Sequence, residues 1–338
     1  KRWSIDEKDI PENSNYIPQD SMFYDTDAFT NRALTWLDDY KKDDKPFFLY
    51  MGYTAPHWPL HAWPADIAKY KGVYDGGYEV VRQARYKRQV EIGLVDPKIS
   101  PLPPMEIGET KPKWESLSAE ERKLEATRME VYSAMVDRLD QNIGRLLKRL
   151  EEQGKLKNTL VFFLSDNGAC AVDPKVDKED IKAPMGSVAS YPSYGQNWAT
   201  VSNTPLKKWK TTSYEGGIST PLIVNWPAVV KPLTGWNNEA THLVDIMPTI
   251  LSVAGANFPG ESKEPKILPT DGVSLLPALK GEQLSRKNPL FYQFGKGAAI
   301  RDGQWKLVRL GATWELYDLA SDRAETNNLI NKHPDIAK

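Results

Sequence analysis

The chain has 338 residues, 40% of them hydrophobic and 11 of them Trp, which is ample material for a core and excludes wholesale disorder. Its 44 Lys and Arg balance 45 Asp and Glu, a net charge of -1, so no global field draws it to nucleic acid or an acidic membrane surface. No apolar stretch approaches the roughly 18 residues of a membrane span, and a lone cysteine, Cys170, excludes an internal disulfide framework.

The opening Lys1-Arg2-Trp3-Ser4 is neither an initiator methionine nor a secretory signal, so the chain reads as truncated at that end. Residues 27–40 place Phe29, Ala33, Trp36, Leu37 and Tyr40 on one helical face. Lys45-Pro46 breaks that pattern, and Phe47 to Met51 reads as a buried strand. Arg82, Arg85, Lys87 and Arg88 read as the solvated face of a helix, and the Pro-rich residues 96–112 as a surface loop. Residues 115–153 predict a long helix. Ser118 with Glu121 forms its capping box, Met129 to Leu150 keeps a three-four rhythm, and Gly154 ends it.

Leu160 to Leu164 is an unbroken apolar run that stops at Ser165-Asp166-Asn167-Gly168. Such a run predicts a strand buried on both faces of a parallel sheet, and ligands of open α/β sheets collect beyond the carboxyl ends of such strands. Asp166 and Asn167 there either shape a turn or offer hard oxygen donors suited to Ca²⁺ or Mg²⁺. Residues 171–201 form a long stretch without periodicity; Tyr191, Tyr194 and Trp198 suggest an ordered wall able to stack on an aromatic or sugar ring. A further strand is expected at 221–224 and a helix near 245–253. Residues 298–310 read as a hairpin turning at Asp302-Gly303, with another strand over 314–317.

Helices alternating with strands imply a mainly parallel sheet sandwiched by helices, followed by a small antiparallel subdomain. The expected division is 1–284 for the α/β domain and 285–338 for the antiparallel subdomain. Two further clusters carry chemistry. His57 is held between Pro56 and Pro59 just past the expected strand, where it either contacts an anionic substrate as general acid or packs as a loop histidine. Lys207-Lys208-Trp209-Lys210 runs into Glu215-Gly216-Gly217, either a basic turn or a charge and open backbone that meet an anion.

Read in order, Ala55-Pro56-His57-Trp58-Pro59, Ser165-Asp166-Asn167-Gly168, Asn203-Thr204-Pro205 leading to Lys210, Glu215-Gly216-Gly217, and Leu316-Tyr317-Asp318-Leu319 resemble the type I, formylglycine-dependent sulfatases. These are the arylsulfatase-like branch of the alkaline phosphatase superfamily. The resemblance implies that Asp166 and Asn167 ligate a divalent metal, normally Ca²⁺ with Mg²⁺ as the variant. It implies that Lys210 grips the sulfate oxygens and that His57 contacts the ester and protonates the departing alcohol. Both His57 and Lys210 are thereby catalytic and substrate-binding candidates. The partner it implies is a small-molecule or carbohydrate sulfate ester, with no nucleic acid and no membrane span, and nothing in the sequence specifies an oligomer. A periplasmic or secreted location is favoured over a cytoplasmic one.

The family's Cys-x-Pro-x-Arg motif, source of the formylglycine, does not occur, and Cys170 sits in Cys-Ala-Val-Asp-Pro instead. The chain is therefore expected to correspond to the carboxyl-terminal two-thirds of a sulfatase, with its nucleophile in a preceding segment and no activity by itself. Two alternatives share part of this pattern: a phosphonate or phosphate ester hydrolase of the same superfamily, and a non-catalytic module that binds sulfated ligands.

Overall fold

Ser118 and Glu121 start the longest element of the protein. The Glu121 N–H donates to Ser118 Oγ at 3.2 Å, and the Ser118 N–H donates to Glu121 Oε2 at 2.8 Å, the reciprocal pair of a capping box. The computed structural model describes residues 3–5, 8–10, 23–107, 112–173, 183–230, 235–258 and 268–338. In chain order its main elements are β1 (Trp3–Ile5), β2 (Lys8–Ile10), α1 (Asp25–Asp39), α2 (Pro64–Ala68), α3 (Gly77–Glu91), α4 (Ala119–Glu152), β3 (Val161–Leu164), α5 (Gly195–Ser202), α6 (Glu215–Ile218), β4 (Leu222–Asn225), α7 (Ile246–Ala254), α8 (Leu276–Leu279), and β5 (Leu290–Phe294), β6 (Gly297–Asp302), β7 (Trp305–Leu310) and β8 (Thr313–Asp318). Among the described residues no helix is long and apolar enough to cross a membrane.

The chain forms two compact units, one of Lys1–Lys71, Glu130–Leu156 and Val176–Pro192, the other of Gly72–Met129, Lys157–Lys175 and Ser193–Lys338. In the first, Ala33 and Leu37 of α1 bury against Leu146 and Leu150 of α4, with Leu49 and Met51 packed on them. Asp27 fixes that pairing. Its carboxylate accepts two bonds from the Arg138 guanidinium, at 2.8 and 2.7 Å, and one from Asn142 at 2.7 Å. These donors hold the Asp27 carboxyl below its ordinary range against the opposing effect of burial.

Phe47 to Met51 belongs to no ladder among the described residues. Leu49 and Met51 pack inward, while Phe47, Phe48 and Tyr50 are 43%, 74% and 82% exposed, so the expected buried strand is not found there. Trp36 and Tyr40 also lie outside the buried stripe of α1, which Thr26 and Thr30 complete instead.

The second unit corrects the expectation of a mainly parallel sheet. β3 pairs with β4 antiparallel, Val161 opposite Asn225 and Leu164 opposite Leu222. β5 to β8 form a four-stranded antiparallel meander in sequence order. Every pairing of the named strands is antiparallel; the parallel contact described is an isolated bridge from His61 to Gly186. An apolar run reports how much burial a strand tolerates, not the direction of its neighbour. β3 is also less buried than the run suggests, with Phe163 left exposed. Arg82, expected on a solvated face, is buried and 3.6 Å from Glu79. The core of this unit gathers Tyr214, Ala299, Val308, Tyr317 and Leu319.

Candidate functional site

The turn after β3 is built by its own side chains. Ser165 Oγ donates to the Asn167 carbonyl at 2.9 Å, Asn167 Nδ2 donates to the Gly168 carbonyl at 3.0 Å, and Thr220 Oγ1 donates to the Ser165 carbonyl at 2.8 Å. The Gly168 N–H then donates to the Gly217 carbonyl at 3.0 Å. A Cβ on Gly168 would lie 1.7 Å from the Gly216 oxygen, so only glycine permits this approach. One residue on, the Ala169 N–H donates to Asn203 Oδ1 at 3.0 Å and the Ala169 carbonyl accepts from the Lys210 N–H at 2.9 Å. The Asp166-Asn167 turn and the Lys210 loop are thus one hydrogen-bonded assembly, with Asp166 exposed and Asn167 and Lys210 half-buried.

The three lysines of the loop differ in partners. Lys207 Nζ donates to Glu315 Oε2 at 3.1 Å and to the Tyr317 hydroxyl at 2.9 Å, and Lys208 Nζ donates to Glu106 Oε2 at 2.8 Å. Among the described residues no ion pair holds the Lys210 ammonium. Two lysines staple the loop, and the third has no ion-pair partner among the described residues.

Beneath the loop lies a buried charge cluster that sequence reasoning missed. Glu215 and Lys306 meet at 2.8 Å, Lys306 also faces Glu325 at 2.9 Å, and Arg323 Nε donates to Glu215 Oε2 at 3.2 Å. The Glu215 N–H donates to Glu325 Oε2 at 2.7 Å. Burial alone would raise the Glu215 carboxyl, but Lys306 and Arg323 together hold it down to about 2. Burial pushes the Glu325 carboxyl up to about 7; the neighbouring Glu215 charge adds to this, and Lys306 opposes it. A signal existed: alternation along β7 puts Lys306 on the same inward face as Val308, and a lysine there requires a carboxylate. Asn203, which bridges Ala169 and the Lys208 carbonyl, stood in a quoted motif without a role.

His57 belongs to the first unit. It is exposed, its N–H donates to the Thr54 carbonyl at 3.0 Å, and its Nδ1 lies 2.7 Å from the Trp58 carbonyl. A carbonyl only accepts, so Nδ1 carries the hydrogen and the neutral ring keeps its lone pair on Nε2. His61 Nε2 donates likewise to the Ser190 carbonyl at 2.7 Å. Of the expected aromatic wall, Trp198 and Tyr194 are core residues, and only Tyr191, 45% exposed, faces solvent.

The expected calcium set is corrected. Among the described residues no group of three or more His, Cys, Asp or Glu could hold a metal ion. Asp166 and Asn167 are two donors where Ca²⁺ takes six to eight oxygens, and the Asn167 amide nitrogen is engaged by Gly168. The residues described do not fit the ion, and no step is derived through it.

An antiparallel β3–β4 pair ends at a glycine-clamped turn with a basic loop bonded to it, in an α/β protein. The family model described as Sulfatase matches residues 3–256, and one described as N-sulphoglucosamine sulphohydrolase, C-terminal, matches residues 208–337. The chain belongs to the sulfatase family. An uncharacterized sulfatase of Schizosaccharomyces pombe is 34% identical over 93% of this chain and 59% of its own length. An arylsulfatase of Klebsiella aerogenes is 35% identical over 81% of this chain and 60% of its own. The crystal structure of Ps i-CgsB in complex with k-i-k-neocarrahexaose shares the fold, with a TM-score of 0.62 at 23% identity over 93% of this chain and 52% of that one.

The chain therefore spans about three-fifths of these two curated relatives. The expectation that it matches only the carboxyl-terminal two-thirds of the family, lacking the amino-terminal part of the fold, is corrected: the matches run from residue 3 to residue 337. They give no support to a formylglycine nucleophile outside the chain or to the inactivity inferred from it, and both expectations are withdrawn.

Proposed function

We propose that the protein hydrolyses sulfate monoesters of ring-bearing alcohols, either carbohydrates or small aryl alcohols. The observation that carries this reading is the Lys210 ammonium, without an ion-pair partner among the described residues, on a loop whose other two lysines are paired. A compact ammonium on a hydrogen-bonded loop suits the oxygens of a sulfate group. The loop backbone that carries it is held by the Lys210 N–H to Ala169 carbonyl bond, so the charge is tethered beside the turn where negative charge would develop.

His57 has the second role. With Nδ1–H bonded to the Trp58 carbonyl, the ring presents Nε2 to solvent, and its protonated form donates from that atom to the departing alcohol oxygen. The names of the relatives support the substrate class. One is named an arylsulfatase, one solved structure of the same fold is titled a complex with k-i-k-neocarrahexaose, and the N-sulphoglucosamine sulphohydrolase name points to a sugar, though with its sulfo group on nitrogen.

The test is hydrolysis of 4-nitrophenyl sulfate beside 4-nitrophenyl phosphate, with calorimetric binding of both. Lys210→Ala is expected to abolish sulfate-ester turnover and binding, and the exposed Lys148→Ala to leave both within about threefold. Preference for the phosphate ester, or equal effects of the two substitutions, would overturn the reading.

A further inference from the structure

Tyr191 is an exposed aromatic ring on a rigid support, an uncommon combination in a loop. Its support is the segment 186–192, tied along its length to residues 60–62. The Leu60 N–H donates to the Pro192 carbonyl at 2.9 Å, the Ala62 N–H donates to the Gly186 carbonyl at 3.1 Å, and His61 Nε2 donates to the Ser190 carbonyl at 2.7 Å. The Gly186 N–H donates in turn to Ser190 Oγ at 3.1 Å. Bonds at both ends and at the neighbouring Ser190 leave the Tyr191 backbone little freedom.

The ring itself is seated edge-on against Trp58, centroids 5.7 Å apart at 73°. Trp58 lies against His57, centroids 5.3 Å apart, and its carbonyl orients the His57 ring. His57, Trp58 and Tyr191 therefore form one continuous aromatic row that begins at the proposed proton donor. The two rings meet edge to face, and Tyr191 remains 45% exposed, so part of the residue is open to a ligand. The C–H face of a pyranose or the face of an aryl ring is the complementary surface.

We propose that Tyr191, backed by Trp58, is a binding subsite for the ring of the alcohol half of the ester, selecting cyclic over open-chain sulfate esters. This rests on the function proposed above for the choice of ligand. The aromatic row beside His57 carries the placement.

The experiment is calorimetric binding to the whole chain of three probes: methyl sulfate, 4-nitrophenyl sulfate and the sulfate-free 4-nitrophenyl β-galactoside. Tyr191→Ala is expected to weaken both ring-bearing probes about tenfold and to leave methyl sulfate unchanged, while Tyr191→Phe retains the wild-type values. Lys210→Ala is expected to weaken the two sulfates alone. Galactoside binding that depends on Tyr191 supports the subsite even where neither sulfate binds, in which case the sulfatase reading fails by itself. Tyr191→Ala without effect on either ring-bearing probe, or with an equal effect on methyl sulfate, overturns the subsite and leaves the Lys210 assay standing.

Discussion

Lys306 Nζ lies 2.8 Å from Glu215 Oε1, and neither side chain is measurably reached by solvent. The pair joins the inward face of β7 to the first residue of α6, whose Gly216 and Gly217 grip the lysine loop and the turn after β3. Removing the cation leaves the two buried carboxyl groups with Arg323 as the one remaining ion-pair partner among the described residues. Lys306→Met is therefore expected to cost about 3–5 kcal/mol in urea denaturation. The exposed Lys148, 3.9 Å from Glu152, is the control, and Lys148→Met should leave the midpoint unchanged.

The same cluster fixes a pH dependence. The folded Glu215 carboxyl sits at about 2, below the ordinary 4.5, so its stabilisation is complete above pH 4.5 and is lost as pH falls toward 2. Glu325 sits at about 7, above 4.5, so the folded state keeps its proton longer than the unfolded chain. Its contribution is therefore full below pH 4.5 and is lost as pH rises through 7. Glu325 therefore favours the folded state more in acid than above neutrality, and Glu215 does the reverse. Melting curves of Glu325→Gln between about pH 5 and 8 should be flatter than those of the wild type; parallel curves would refute the assignment.

Two glycine-to-alanine changes should move in opposite directions. At Gly168 the added methyl meets the Gly216 oxygen at 1.7 Å, backbone against backbone, so the turn and the Lys210 loop must part. Gly168→Ala is expected to lose more than about 3 kcal/mol and all sulfate binding. In the middle of α4, an added methyl at Gly144 meets nothing within 4 Å, and Gly144→Ala should gain about 0.5–1 kcal/mol. Thermal shift and calorimetry on the pair separate the two cases.

Ser118 caps α4 from an exposed position. Ser118→Ala should cost about 1 kcal/mol. Hydrogen exchange should locate the loss in the first turn of the helix, with the amides near Leu146 unaffected.

Much of this architecture was legible because it is local. The capping box, the stripe of α4, the hairpin near Gly303 and the turn at Asp166-Asn167 all depend on residues within a few positions of one another. Strand direction was not, because β3 and β4 are separated by α5, α6 and the loops around them, and no pattern inside Leu160 to Leu164 encodes its partner. The run at Phe47 to Met51 misled for a related reason: it is apolar throughout, but no described strand pairs with it. At the site, the motif residues were visible as letters. The bond from Lys210 to Ala169, and the division of the lysines into paired and unpaired, required coordinates.

Gly168 and Gly216 approach each other so closely that no other amino acid fits at the first of them. A position of that kind is mute about substrate, since every descendant that folds must keep it. Tyr191 is under no such compulsion: its ring meets solvent, and its backbone is held by neighbours. Divergence of specificity among related chains should therefore be inherited through the tyrosine and its surroundings, while the glycine clamp passes unchanged from one activity to the next.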